Sequence, residues 1–187
     1  FFPSLVLDHG RKTPTGHSFQ AHVGPMRPTS RGEIKLKSNK PSDAPSIQFN
    51  YMQTEHDLNE MRDGIEIARD IFNQRAFDEY RGKELSPGIQ EKSKESINEF
   101  IRNKGDTAYH PSCTCKMGND ESSVVNEELK VYGIDKLRVV DASIMPNIIT
   151  GNLNAATVMI AEKASDLILK RSPLELEEHN FYRANYN

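Results

Sequence analysis

Three stretches of the chain repeat apolar residues at the spacing of an α-helix. The longest runs from about residue 153 to 169 without an internal glycine or proline. Another follows Thr54, which stands three residues before Asp57 in a capping-box arrangement. The third covers residues 93–103, and a shorter helix is also expected over residues 74–80. The residues expected to be buried by the helices before residue 104 are Leu58, Met61, Ile65, Ala68, Ile71, Phe72, Ile97, Phe100 and Ile101.

Other stretches alternate or concentrate apolar residues in the manner of β-strands. Strands are predicted over residues 2–7, 18–23, 33–37, 46–51 and 137–140. In the third of these, the alternation predicts that Ile34 and Leu36 face a core while the charged residues face water. Strands followed by helices indicate an α+β fold with an antiparallel or mixed sheet and flanking helices.

Composition and charge argue against a nucleic-acid-binding protein and against a membrane-spanning one. The chain has 187 residues, of which 36% are hydrophobic and 27% charged, and its net charge of -3 argues against nucleic acid as a partner. No apolar run approaches the roughly 20 residues of a membrane-spanning helix. The chain starts without Met and without a signal-peptide pattern, so we expect it to be a piece of a longer protein.

Two segments carry the candidate chemistry: HPSCTCKMG at residues 110–118, and residues 137–168. We interpret them as opposite walls of one site, separated by a charged, turn-like insert at 119–136. Asp141 follows the predicted strand, where its carboxylate can accept hydrogen bonds from backbone N–H groups or from a ligand hydroxyl. Asn152 and Asn154 are candidate N-caps of the last helix. A helix N-terminus suits a phosphate, an oxyanion or the electron-rich edge of a reduced flavin.

The two cysteines allow a competing interpretation. Cys113 and Cys115 lie near His110 and could be read as metal ligands, but their spacing does not fit a zinc knuckle and no second pair completes four ligands. We therefore expect no metal and interpret both as small hydrophobic residues, with redox sensitivity as the alternative. Two cysteines offer no disulfide framework, which favours a reducing, intracellular compartment.

The same segments resemble a known family. HPSCTCKMG, LRVVDASIMP and TGNLNAATVMIAEKASDLI are similar to the C-terminal signature of the glucose–methanol–choline (GMC) flavoprotein oxidoreductases, and residues 16–38 and 81–88 agree. Within the family the similarity is greatest to the bacterial members that oxidise choline. The resemblance implies a substrate-binding domain at 1–107, a catalytic-histidine segment with the insert at 108–136, a strand-loop-helix returning to the FAD domain at 137–170, and a tail at 171–187.

The resemblance also implies the cofactor and the catalytic pair. It makes FAD the cofactor, His110 the base that takes the hydroxyl proton, and Asn152 the partner that hydrogen-bonds the alcohol oxygen. The implied reaction is oxidation of choline to betaine aldehyde, a step of glycine betaine synthesis. The residues implied to contact FAD are Asp141, Ala142, Asn152, Leu153, Asn154 and Thr157. For Asp141, Asn154 and Thr157 a plain capping role stays open.

The implied partners are choline, an N-terminal FAD domain that this sequence lacks, and an electron acceptor that is either a membrane component or oxygen. No G-x-G-x-x-G fingerprint occurs in the sequence, so we expect the chain alone to be inactive and to bind FAD weakly or not at all. Another alcohol substrate, a silent interaction module, and self-association of copies stay open. The implied location is the cytoplasm or the periphery of the bacterial inner membrane.

The remaining histidines and the tail carry weaker expectations. His17 and His22 are expected to be structural, and His9, His56 and His179 to be solvated. The tail ends in the aromatic residues Phe181, Tyr182 and Tyr186. It could be disordered or could dock on a partner surface.

Overall fold

The computed structural model describes residues 1–7, 10–12, 15–175 and 177. The expectations for His9, His179 and the tail aromatics therefore lie outside the described residues. The chain divides into two compact units, Phe1–Tyr109 and His110–Asn187. Helices and one small antiparallel sheet make up the regular structure of the described chain, in agreement with the mixed α and β content predicted. Among these residues, no helix is both long enough and apolar enough to cross a bilayer.

Strands β1 (Glu33–Lys35) and β2 (Ser46–Gln48) form the sheet of the first unit. They pair antiparallel, with Ile34 opposite Ile47, and confirm the centres of two predicted strands. The predicted burial is wrong, because Ile34 is 53% exposed and Leu36 is 85% exposed. Alternation identifies the apolar face of a strand, but it does not say whether the described chain supplies anything to cover that face.

The predicted strands at 2–7 and 18–23 are wrong, because the structure has only isolated bridges there, Phe2 with Gln20 and Leu7 with Lys12. Phe2 and Gln20 exchange both backbone hydrogen bonds, at 2.8 and 3.0 Å. Further along, the Val6 N–H donates to the Gln20 side-chain Oε1 at 3.0 Å rather than to a backbone carbonyl. A strand needs a continuous ladder of backbone bonds, so this segment stays irregular.

The helices of the first unit form as predicted. Helix α1 (Glu55–Phe72) begins after Thr54, whose hydroxyl accepts from the Asp57 N–H, and helix α2 (Lys94–Lys104) begins after Ser93. The expected short helix at 74–80 is only a 3-10 turn, Arg75–Phe77, closed by tight three-residue hydrogen bonds. The buried core consists of Leu58, Ile65, Ile97 and Ile101, with Val23, Met52, Met61 and Phe100 packed around it. Burial of Ile71 was a wrong prediction, since its side chain is half exposed.

The second unit contains a 3-10 helix, Ala142–Ile144, and helix α3 (Leu153–Leu169). The predicted strand at 137–140 is wrong, because its only ladder contact is an isolated bridge between Lys130 and Arg138. The backbone bonds of this run both go to the short stretch at 129–131: Leu137 accepts from Val131 at 3.0 Å, and Val139 donates to Leu129 at 3.2 Å. These two bonds flank the single bridge and do not extend into a longer ladder. No second strand lies along it in the described chain.

The core of the second unit contains residues from the insert at 119–136. Val125 is fully buried and Leu129 is 4% exposed, and both pack with Ile144 and with Ala164 of α3. The ends of this insert are turns, as predicted, but the prediction did not include the burial of Val125 and Leu129. Leu129 lies between the charged residues Glu128 and Lys130, and Val125 stands in a pair of valines followed by polar residues. Neither belongs to an apolar pattern long enough to give a periodic signal.

Candidate active site

The segment that carries His110 lies alongside the segment that follows Asp141. The N–H groups of Cys113, Cys115 and Met117 donate to the carbonyl oxygens of the 3-10 helix, in order Ala142 at 3.3 Å, Ser143 at 2.9 Å and Ile144 at 2.7 Å. The two segments thus run side by side, although the bonded residues are 27 to 29 positions apart in sequence. Buried Ile144 anchors this pairing in the core of the second unit. The structure therefore joins the first candidate segment directly to the start of the second.

Backbone conformation is unusual on both sides of His110. Tyr109 has a φ of 59° and Cys113 a φ of 73°, values that are uncommon for residues other than glycine and that cluster at functional sites. His110 itself is partly buried. Sequence reasoning missed both conformations, because neither residue is a glycine, asparagine or aspartate. The surrounding hydrogen bonds hold the His110 segment in this shape.

A tight turn ends the His110 segment. A Cβ atom added to Gly118 would lie 2.5 Å from the Ser123 hydroxyl oxygen, so a larger residue there would force the Ser123 side chain to move. The Asp120 carboxylate accepts from both the N–H and the hydroxyl of Ser122, and it pairs with Lys116 at 2.9 Å. These bonds, led by the Ser122 hydroxyl and then Lys116, hold the pKa of Asp120 well below its usual range.

Asp141 has the capping role that the sequence left open. It precedes the 3-10 helix, and its Oδ1 accepts from the Ser143 N–H at 2.7 Å. The side chain is exposed, whereas Ala142 is partly buried. One carboxylate oxygen is thus used in shaping the turn, and the exposed side chain can still accept from a ligand hydroxyl.

Helix α3 begins with an unusually open N-terminus. Asn152 occupies the N-cap position, as predicted, yet its side chain makes no capping hydrogen bond, and the first turn contains no acidic residue. Asn154 and Ala155 are exposed. Leu153 is buried, so only the backbone of Leu153 could face a ligand. The partial positive charge of a helix start is therefore not neutralised locally, and the Asn152 carboxamide is exposed beside it.

Thr157 has a structural bond inside α3. Its hydroxyl donates to the Leu153 carbonyl oxygen at 2.8 Å, one turn earlier. This bond is common for a threonine within a helix, and it explains the residue without a cofactor. The hydroxyl oxygen can still accept a hydrogen bond, so the predicted FAD contact stays a prediction.

The cysteines and the histidine do not assemble a metal site in the part of the chain that the structure describes. No group of three or more His, Cys, Asp or Glu side chains comes together there. Cys113 and Cys115 are unpaired thiols and partly buried, and the Cys113 thiol donates to the Ser112 hydroxyl at 3.2 Å.

All the predicted site residues belong to the second unit, His110–Asn187. Backbone bonds bring the His110 segment to the 3-10 helix that begins at Ala142, directly after Asp141, and α3 packs on the same 3-10 helix. Asn152, Leu153, Asn154 and Thr157 lie together at the start of α3. The convergence of the His110 imidazole and the Asn152 carboxamide on one substrate atom stays a prediction.

Comparison with known proteins places this geometry in a family. The chain is 54% identical over 184 residues to a protein named oxygen-dependent choline dehydrogenase from Pseudomonas aeruginosa strain LESB58; the match covers 98% of this chain and 33% of that protein. Pyridoxine 4-oxidase from Mesorbium loti is similar in structure, with a TM-score of 0.73 and 34% identity, over 79% of this chain and 29% of that protein. An FAD-dependent oxidoreductase from Chaetomium thermophilum has a TM-score of 0.73 and 31% identity, over 80% of this chain and 26% of that protein.

The chain spans about a third of the length of the curated relatives it matches. Residues 28–161 match the family model described as GMC oxidoreductase. That range includes His110, Asp141, Asn152 and the first half of α3, and it covers well over half of the chain. The chain therefore belongs to the GMC oxidoreductase family.

Proposed function

We propose that this chain is the C-terminal third of an FAD-dependent oxidoreductase that oxidises choline to betaine aldehyde. The observation that carries the proposal is 54% identity, over 98% of the chain, to a protein named oxygen-dependent choline dehydrogenase. The identity lies in the C-terminal part of that relative. On this proposal, residues 1–107 contribute to the substrate-binding domain and residues 137–170 return to the FAD domain.

The start of α3 fits a cofactor with an electron-rich edge. Its first turn lacks an acidic residue, and the Asn152 side chain is not used as a cap, so the free N–H groups can face partial negative charge. The exposed Ala155 leaves room for close approach. Residues that would hold FAD are Asp141, Ala142, Asn152, Leu153, Asn154 and Thr157, with Leu153 acting through its backbone.

The chemistry divides between the cofactor and two side chains of this chain. FAD, when bound, supplies the acceptor for the hydride that leaves the alcohol carbon. His110 takes the hydroxyl proton, because imidazole is the side chain that exchanges protons near neutral pH. Asn152 donates its amide N–H to the alcohol oxygen and holds it towards His110. Loss of one hydride and one proton converts the alcohol to the aldehyde. The relative is named an oxygen-dependent choline dehydrogenase, and this favours oxygen as the electron acceptor over a membrane component.

The test is reduction of the flavin of the full-length protein by choline without oxygen. We expect choline to bleach the oxidised flavin absorbance, and admission of air to restore it. Reduction by a different primary alcohol but not by choline would place the protein elsewhere in the family. Reduction by neither, in a protein that retains its flavin, would contradict an alcohol oxidoreductase and favour a silent interaction module.

A further inference from the structure

Cys113 and Cys115 are the two thiols of the chain, and the proposed chemistry uses neither of them. Both are free and partly buried, so each keeps some access to small molecules. They stand three and five residues after His110 in the motif HPSCTCKMG. Oxidation of either thiol would therefore take place beside the predicted catalytic base.

The backbone places the two thiols within reach of each other. Residues two positions apart are separated by at most about 7 Å between Cα atoms, and by less in a turn. Thr114 and Cys115 lie in a turn, and Cys113 has the left-handed φ of 73°. A disulfide joins Cα atoms that are roughly 4.4–6.8 Å apart. A bond between the two sulfurs therefore needs only a local change of the turn and the loss of the contact from the Cys113 thiol to the Ser112 hydroxyl.

The same two residues attach the His110 segment to the 3-10 helix of the second unit. The Cys113 N–H donates to the Ala142 carbonyl oxygen at 3.3 Å, and the Cys115 N–H donates to the Ser143 carbonyl oxygen at 2.9 Å. A disulfide that reshapes the turn changes the direction of these two N–H groups. The position of His110 changes with them, because it stands only three residues before Cys113.

We propose that Cys113 and Cys115 are a peroxide-sensitive dithiol, and that hydrogen peroxide converts them into a disulfide that lowers the activity of the protein. The source of the peroxide rests on the proposed function with oxygen as the electron acceptor. Oxygen that takes two electrons and two protons becomes hydrogen peroxide, which is then released at the site that contains His110. A product of turnover thus limits further turnover.

The reaction balances with hydrogen peroxide as the single oxidant. One sulfur, as the thiolate, attacks an oxygen of the peroxide and forms a sulfenic acid. The O–O bond breaks, and the departing hydroxide takes the thiol proton to become water. The second thiol then attacks the sulfenic sulfur, the S–O bond breaks, and the products are a disulfide and a second water. A dithiol reductant reverses the oxidation and restores both thiols.

The test is the mass of one peptide from the full-length, flavin-loaded protein after treatment with hydrogen peroxide and alkylation of the remaining thiols. Trypsin cleaves after Lys104 and Lys116, so both cysteines lie in the peptide of residues 105–116. We expect the treated peptide to carry no alkyl group and to be lighter by two hydrogen atoms than the reduced peptide. After dithiothreitol it should carry two alkyl groups.

Activity should follow the state of the two thiols. We expect the oxidation to lower kcat/KM for choline at least about 10-fold, because a small misplacement of a catalytic group is costly. Dithiothreitol should restore kcat/KM, whereas it does not reverse oxidation of methionine.

Two single variants separate the disulfide from other oxidation. Cys113→Gly suits the left-handed φ at that position, and Cys115→Ser keeps a side chain of similar shape. Neither variant can close the disulfide, so peroxide should cause no loss of activity that dithiothreitol reverses. If one variant fails to fold, the other serves, and the peptide mass of the wild type needs neither.

The outcomes that would overturn the proposal are distinct. A wild-type peptide that keeps both thiols after peroxide would overturn it, and so would sulfinic or sulfonic acid without a disulfide. An equally large reversible loss of activity in the two variants would also overturn it. During turnover in air, catalase should slow the loss of wild-type activity, and no effect of catalase would contradict turnover as the source of the peroxide.

Failure of the proposed function is distinguishable from failure of the dithiol. Added peroxide acts without choline, so a protein that forms the disulfide but does not oxidise choline refutes the proposed substrate and leaves the dithiol intact.

Discussion

Asp57 has a role in the first unit that its position in a capping box does not reveal. The side chain is fully buried. Its oxygens accept from the Thr29 N–H at 2.7 Å, the Thr29 hydroxyl at 2.9 Å and the Ser30 N–H at 2.9 Å. Burial opposes the charge, but the bonds from Ser30 and Thr29 together outweigh it and hold the pKa of Asp57 well below its usual range. The carboxylate thus fixes the Thr29–Ser30 turn on the first turn of α1.

Replacement of this carboxylate should destabilise the protein in a pH-dependent way. Because the folded pKa lies below the unfolded value, the stabilisation is complete above about pH 4 and is lost as the pH falls through the folded pKa. We expect Asp57→Asn to lower the free energy of unfolding by about 2 kcal/mol at pH 7. The difference from wild type should shrink below about pH 4.

Denaturant unfolding of the full-length protein at a series of pH values measures this effect. Asp63→Asn is the matched control, because Asp63 lies exposed on the same helix. An equal loss of unfolding free energy in Asp57→Asn and Asp63→Asn at pH 7 would contradict the role given to Asp57. So would a difference in unfolding free energy between Asp57→Asn and wild type that does not change with pH.

Some residues of the site could be predicted from sequence and others could not. His110, Asp141 and Asn152 lie in contiguous motifs, and the N-cap position of Asn152 follows from the apolar pattern of α3. The left-handed backbone of Cys113 could not be predicted, because its N–H donates to Ala142, a residue far along the chain. The left-handed backbone of Tyr109 accompanies a local bond from its N–H to the Thr107 hydroxyl, and no sequence pattern indicated it.

At the scale of elements, helices were predicted well and strands poorly, for a physical reason. A helix satisfies its backbone within itself, and caps such as Thr54 and Ser93 are local in sequence. A strand needs a partner. Residues 18–23 and 137–140 have strand-like patterns but find only single bridges in the described chain. The apolar patterns of these two stretches are typical of strands in a sheet, but the described residues do not form a sheet there.

Arg69 of α1 is hydrogen-bonded to the loop at residues 81–88. Its guanidinium donates to both carboxylate oxygens of Glu84 and, at 3.1 Å, to the Gly88 carbonyl oxygen. The Gly88 N–H donates in turn to Glu84 at 3.1 Å. Gly88 is buried, so its backbone depends on these two side chains.

Arg69→Lys should therefore be destabilising although it keeps the charge. A lysine cannot reproduce the planar, forked contact, and the Gly88 carbonyl would lose its partner. We expect the free energy of unfolding to fall by about 1–2 kcal/mol. Arg75→Lys, on the exposed 3-10 turn, is the control and should be neutral within about 0.5 kcal/mol. Urea titration measures the free energy of unfolding of both variants. Equal values for Arg69→Lys and Arg75→Lys would contradict a stabilising role for the Arg69 contacts with Glu84 and Gly88.

On the scale of the whole molecule, the second unit contains the predicted catalytic pair and the residues predicted to contact FAD. The sequence has no glycine-rich fingerprint for the pyrophosphate of a dinucleotide, and the chain spans a third of its relatives. We predict that the 187-residue chain, mixed with FAD and desalted, retains no stoichiometric flavin. Absorbance of the desalted protein measures this. A chain that stays yellow at one flavin per molecule would contradict the prediction.

One measurement tests most directly whether His110 is the base. It is kcat/KM for choline in the full-length protein with His110→Ala. The variant should lose about 100- to 10,000-fold in kcat/KM, while its flavin content and thermal unfolding stay those of wild type. His56→Ala, which removes an exposed imidazole from α1, should keep full activity. Wild-type kcat/KM in a folded, flavin-loaded His110→Ala protein would contradict the account.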